Sequence, residues 1–162
     1  MIAHLPMYVN IVFILTTLLT VFLFYKAGNL SKINLGILGL WLLLQAVLSY
    51  VGFYTVTNTT PPRFILLALP AVLLIIYLFL TAKGRVYLNN LDAKTLTLLH
   101  VVRIPVELCL YWLFLHKSIP QLMTFEGRNF DILAGLTAPV IFYFGYVKNK
   151  LGKTVLLLWN FI

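Results

Sequence analysis

The sequence predicts an all-α fold, a polytopic transmembrane helical bundle with five full spans and a partial sixth, N-terminus outside. Three observations carry this expectation. Of 162 residues, 62% are hydrophobic and only 10% charged, with a mean hydropathy of +0.99, whereas a soluble domain is about half apolar and a quarter charged. The apolar residues gather into runs of about 17 to 25, the length an α-helix needs to cross a bilayer. Twelve Lys and Arg against four Asp and Glu give a net +8, but they lie singly or in small groups between the runs. There they report topology and form no patch on a soluble surface of the kind nucleic acid requires.

Taken in order, the spans fall at about 7–25, 33–56, 64–81, 95–116 and 130–147, within a single integral membrane domain over residues 1–162. The first, Met7 to Tyr25, follows a segment with no basic n-region and no small-residue cleavage site, so an uncleaved helix is expected. The second, Ile33 to Val56, ends before Thr57-Asn-Thr-Thr-Pro-Pro-Arg63, where two prolines stop helix growth. After the third, Phe64 to Thr81, the stretch Lys83 to Lys94 holds Gly84, Asn89, Asn90 and Asp92 and reads as a connector of turns and caps. Ser118 and Pro120 close the fourth, Thr95 to His116. The segment Gln121 to Asn129 mixes Leu122, Met123 and Phe125 with Glu126 and Arg128, the composition of a loop against the outer membrane surface.

The fifth run, Phe130 to Val147, carries Ala134, Gly135 and Ala138 on one face, suited to close packing. A sixth apolar run, 154–162, offers only about 13 Å of helix. A terminal carboxylate there would sit near the bilayer centre at several kcal/mol. The run is therefore expected to continue in a longer natural chain, or to lie in the interface around Trp159.

Basic residues set the orientation. The first, third and fifth connectors hold eight Lys and Arg, against three in the second and fourth, so the odd connectors face the cytoplasm. The expected location is the plasma (inner) membrane. Asn58-Thr-Thr and Asn29-Leu-Ser match the glycosylation pattern, the first on the outer side. Both are short and unspecific.

Chemistry concentrates on the fourth run. With His100 at zero on a helical wheel, Arg103, Glu107 and Tyr111 fall at about 300°, 340° and 20°, all on one face. Counted from Lys94, Arg103 lies about 13 Å deep and Glu107 about 19 Å deep, astride the midplane. Charges at that depth cost about 2.5 to 3.5 kcal/mol and normally turn inward and pair. An i, i+4 Arg103 to Glu107 pair meets part of the demand, and Pro105 between them frees the carbonyl of Val101. Gln45, with Trp41, Ser49 and Gly52 on its face, is the expected neighbour from the second run. Two readings stand for this cluster: a ligand, ion or proton site, which is favoured, and a buried polar joint between helices.

The outer connector supplies further candidates in Glu126, Arg128, Asn129 and Asp131. Asn129 or Asp131 is expected to cap the fifth helix, ahead of a recognition role. His4 and His116 without geometry do not make a metal site, so no metal is expected. Cys109 is the single cysteine, which excludes an intramolecular disulfide or a paired-cysteine zinc site. GxSxG, HExxH, GxxxxGK[ST] and CxxCH are all missing from the sequence, so serine hydrolase, zincin, P-loop and c-type haem chemistries lack their carriers. No cofactor is called for.

The function expected is that of a small carrier or ligand-binding membrane protein, in which Glu107 changes protonation or meets a cation while Arg103 tunes it or meets an anionic group. An intramembrane enzyme on a lipid or isoprenoid, with Glu107 or His100 as acid or base, is the alternative. A non-catalytic assembly subunit of a membrane complex is the third. The expected partners are the lipid bilayer, a small-molecule or ion ligand, and partner helices or further copies of the chain.

Overall fold

A computed structural model describes residues 5–56 and 58–160, and among these every regular element is helical. They are α1 Met7–Ala27, α2 Lys32–Tyr50, α3 Ile65–Leu80, α4 Ala82–Asn89, α5 Ala93–Leu99, α6 Arg103–Leu115, α7 Asp131–Phe142 and α8 Lys153–Trp159, joined by turns of 3-10 and π helix. His4 and the last two residues of the sixth apolar run lie outside the described residues.

Three helical stretches are long and apolar enough to cross a membrane: α1, α2, and Ala93–Leu115, in which α5 and α6 run on through a 3-10 turn. A fourth joins them if α3 and α4, bent by 91° at their junction, count as one span. The stretch Asp131–Val147 is apolar but shorter, and α8 has 7 residues.

The chain divides into two compact units, one of the residues up to Ala27 and from Asp92 onward, the other Gly28–Leu91. In the first, α1 packs on α5 and α6, and α7 packs on α5, α6 and the turn between them. The seam of α1 is Val9, Thr16 and Leu23, a seven-residue spacing that keeps one narrow stripe inward, followed by Ala27. Thr16, Thr17 and Thr20 return their hydroxyls to the Val12, Phe13 and Thr16 carbonyls at 2.7 to 2.9 Å, so these hydroxyls are satisfied within the helix itself.

Helix α5 starts where Asp92 accepts from the backbone N–H groups of Lys94 and Thr95 and from the Thr95 hydroxyl. Pro105 cannot donate to Val101, and the chain tightens into the 3-10 turn His100–Val102 just before α6. Ala134, Gly135 and Ala138 form the buried face of α7. A Cβ on Gly135 would lie 2.9 Å from Ile104 Cγ1 and 3.3 Å from the His100 carbonyl, so glycine is what lets α7 approach the Pro105 region.

In the second unit, two expectations from the sequence are corrected. The run 33–56 does not stay helical to its end: α2, capped at its start by Ser31 Oγ, stops at Tyr50. Gly52 then takes a left-handed φ of 72° and a 3-10 turn covers Phe53–Thr55. The stretch Lys83 to Lys94 is no mere connector, because Thr81 Oγ1 accepts from the Gly84 N–H at 3.0 Å and starts α4. Capping outweighs the turn-forming composition there. At the α3–α4 bend a Cβ on Gly84 would lie 2.4 Å from the Leu78 carbonyl oxygen. Neither α2 nor α3 buries a single residue.

Candidate functional site

The helix α6 and the segment Gln121 to Asp131 build one polar site from two groups of residues that the sequence presented apart. Glu107 is 1% exposed, the most deeply buried charged residue of the described chain. Asn129 Nδ2 donates to its Oε1 and the Phe125 backbone N–H also faces the carboxylate, while Oε2 closes no hydrogen bond among the described residues. The Oδ1 of the same Asn129 amide accepts from the Asp131 N–H at 3.3 Å. Asn129 therefore satisfies the first amide of α7 and fixes Glu107 together.

Arg103 does not pair with Glu107. Its Nη1 donates to Asp131 Oδ1 at 2.8 Å, because α7 is held against α6 by its small-residue face and brings Asp131 within reach. An Arg that precedes its acid by one turn is in the less favourable helical order, and the cross-helix carboxylate takes the guanidinium. The pair is part-exposed, with 33% of the Arg103 and 50% of the Asp131 side chain accessible. The expected capping role is thus divided: Asn129 makes the local contact, and Asp131 is committed to Arg103.

The loop is folded tightly around the carboxylate. Thr124 is completely buried and donates to Gln121 O. A Cβ on Gly127 would lie 2.4 Å from that same carbonyl oxygen. Phe125 lies on Tyr111 with ring centroids 5.0 Å apart. Leu122 and Met123 stay exposed, at 60% and 53%.

His100 sits at the other end of the cluster. Its Nδ1 is buried with no hydrogen-bond partner among the described residues, and its ring lies 4.9 Å from the Trp159 ring. Trp159 Nε1 in turn donates to Thr137 at 2.9 Å. Sequence spacing carries no sign that Trp159, expected as an interface anchor, lies against His100.

The remaining candidates fall elsewhere. Gln45 belongs to the second unit, where the Tyr54 hydroxyl donates to its Oε1. Glu126 and Arg128 are exposed and make no ion pair among the described residues. His116 holds the Trp112 carbonyl of its own helix at 2.7 Å. In the second unit a hollow of about 230 Å³ is lined by Asn29, Ser31, Asn34, Tyr87 and Asn90, with no charged side chain in its wall.

The fold and site define a helical protein with membrane-length apolar helices and a buried, half-bonded carboxylate. The chain matches no protein-family model, no curated protein and no solved structure.

Proposed function

We propose that the chain is an integral protein of the plasma (inner) membrane, crossing it five times with the N-terminus outside, and that it is a small carrier or ligand-binding protein. Its site is the cluster of Glu107, Asn129, Asp131 and Arg103. The observation that carries this reading is Glu107 itself: a fully buried carboxylate with one oxygen bonded and the other free among the described residues. An unsatisfied buried acid is costly and is kept where it does work. Glu107 is the group that exchanges a proton or meets a cationic ligand. Asn129 positions it, and Asp131 keeps Arg103 from neutralising it.

Reconstitution tests this. Proteoliposomes holding the protein should take up solute under an imposed ion gradient, and Glu107→Gln should remove most of that uptake. Equal uptake by the two proteins would refute the reading.

The His100 Nδ1, buried and without a partner among the described residues, supports a second reading, an enzyme acting on a lipid or isoprenoid with His100 or Glu107 as acid or base. Chemical conversion of a copurifying lipid during incubation would be its sign.

A further inference from the structure

The second unit, Gly28–Leu91, contains no Asp or Glu, against the four cations Lys32, Arg63, Lys83 and Arg85. The acid next along the chain, Asp92, is committed to the start of α5, where it accepts from the Lys94 and Thr95 amides. A unit so charged attracts anions.

Its hollow of about 230 Å³ forms where the start of α2 faces α4. Two bonds hold the walls together: Asn34 Nδ2 donates to the Tyr87 hydroxyl at 3.1 Å, and Asn29 Nδ2 donates to the Asn90 carbonyl at 2.8 Å. Each amide nitrogen keeps a second hydrogen to give. The Tyr87 oxygen accepts in its bond, and Ser31 Oγ accepts from the Asn34 N–H at 3.3 Å, so both hydroxyl protons remain for a ligand. Amides and hydroxyls that donate and accept suit the hydroxyls of a polyol. Cations stand at the rim. Lys32 lies between the wall residues Ser31 and Ile33, and Lys83 precedes Tyr87 by four residues and Asn90 by seven, on one face of α4. Both lysines are exposed and placed for a phosphate beside the polyol.

The hollow also opens onto an apolar track. Ile33, one of its wall residues, begins a stripe of Ile33, Ile37, Leu40 and Leu44 at helical spacing along α2, exposed at 75%, 62%, 71% and 45%. Eleven residues of rise make about 16 Å, the depth of one leaflet of a hydrocarbon core about 30 Å thick. Helix α4 turns 91° from α3, so where α3 enters a bilayer α4 lies along its surface. The expected topology puts the first and third connectors, which supply Asn29 and Ser31 on one side and Tyr87 and Asn90 on the other, at the cytoplasmic face, where anionic lipids gather.

Resting on the membrane reading above, we infer that this hollow binds one anionic phospholipid with a polyol headgroup: hydroxyls among Asn29, Ser31, Asn34 and Tyr87, phosphate at Lys32 and Lys83, and an acyl chain along the Ile33 stripe.

The test uses purified protein in a polyoxyethylene detergent, which brings no sugar headgroup to compete. Micelles are doped with phosphatidylglycerol, phosphatidylserine or phosphatidylcholine at equal mole fraction. A ligand that binds only the folded state raises Tm, by roughly 5 °C at about a hundred times its dissociation constant. The expected result is a saturating rise with phosphatidylglycerol, less than half of it with phosphatidylserine, which has the charge without the polyol, and none with phosphatidylcholine. Lys32→Gln with Lys83→Gln should remove most of the rise. Asn90→Asp should do the same by setting a negative charge in the wall, at an exposed position whose bond to Asn29 runs through the backbone. Arg63→Gln, which takes a charge from the second connector, should leave the rise intact. Each variant's folding is judged from its melting curve in phosphatidylcholine.

Equal Tm in phosphatidylglycerol and phosphatidylcholine overturns the inference, as does an equal rise with phosphatidylserine or one that survives both the lysine pair and Asn90→Asp. A rise reproduced by free glycerol phosphate in phosphatidylcholine micelles also overturns it, because the site would then hold a soluble phosphate. Alkaline carbonate separates the two claims. Protein released from membranes by that treatment removes the membrane reading beneath the inference, and protein that is retained but shows no preference for phosphatidylglycerol removes the headgroup site alone.

Discussion

The Arg103 guanidinium is bonded to Asp131, 28 residues along the chain, and not to Glu107, one turn away on its own helix. That preference leaves the buried Glu107 to Asn129 and separates the charges at the α6–α7 junction into a closed ion pair and an open carboxylate.

Energetic coupling should follow the observed bonds. A double-mutant cycle on Arg103→Met and Asp131→Asn is expected to show an interaction of about 1 kcal/mol, held down by the part-exposed setting of the pair. The cycle on Arg103→Met and Glu107→Leu should be additive to within about 0.5 kcal/mol. Denaturation midpoints of the four proteins in each set decide it, and strong coupling only in the second cycle would contradict the arrangement.

Acid should weaken the start of α5. The Thr95 hydroxyl holds the Asp92 carboxyl below its usual range, against the opposing effect of partial burial and with help from the Thr95 and Lys94 amides. A depressed acid contributes its stability above the unfolded-state pKa, about 3.9, and loses it as pH falls through the folded-state value. At neutral pH Asp92→Ala should cost about 1 kcal/mol. That cost should shrink toward zero in solutions acidic enough to protonate Asp92 in the folded protein, as read from melting curves across pH.

Two glycines should answer in opposite directions. Gly135→Val forces branched carbon into Ile104 and the His100 carbonyl and should cost about 1 to 3 kcal/mol by overpacking. Gly36→Ala, in α2 with nothing within 4 Å of the added carbon, should gain about 0.5 to 1 kcal/mol of helix propensity. Thermal stability of the two variants checks both signs.

The proposed topology puts Asn58 outside and Asn89 inside. Both are exposed, so Asn58→Cys and Asn89→Cys, made in a Cys109→Ser background, should react with an impermeant thiol reagent from opposite faces of sealed vesicles. Labelling from one face alone would remove the five-span arrangement.

The apolar runs were legible because helix-length stretches of apolar residues stand out in composition, and α1, the Ala93–Leu115 stretch and Asp131–Val147 begin and end within a few residues of the runs that foretold them. What composition could not carry was competition between local signals. Thr81 as a cap made a helix from a stretch rich in turn formers, and Gly52 ended α2 inside an apolar run. The site residues were mostly named, but as two sets. Nothing in sequence spacing says that Asn129 and Asp131 return to α6, because that depends on how closely Gly135 lets α7 approach. Trp159 was missed for the same reason, since its partner Thr137 is 22 residues distant.

The bare surfaces of α2 and α3 bear on how the molecule comes apart. A helix with no fully buried side chain draws little of its persistence from packing, and α2 adds to that only contacts such as Asn34 Nδ2 donating to the Tyr87 hydroxyl. Each of its amides is held by a carbonyl four residues back, a bond that meets no competitor in hydrocarbon. In the proposed membrane setting, the contacts among α1, α5, α6 and α7 should dissolve first on heating in detergent, erasing the near-ultraviolet signature of Tyr8 against Trp112 and of His100 against Trp159. The far-ultraviolet helix signal should outlast that loss, so the two probes trace separate transitions. The later one should move with detergent chain length and ignore substitutions at Glu107, which makes the surrounding acyl phase the other half of the solvent-facing helices' structure.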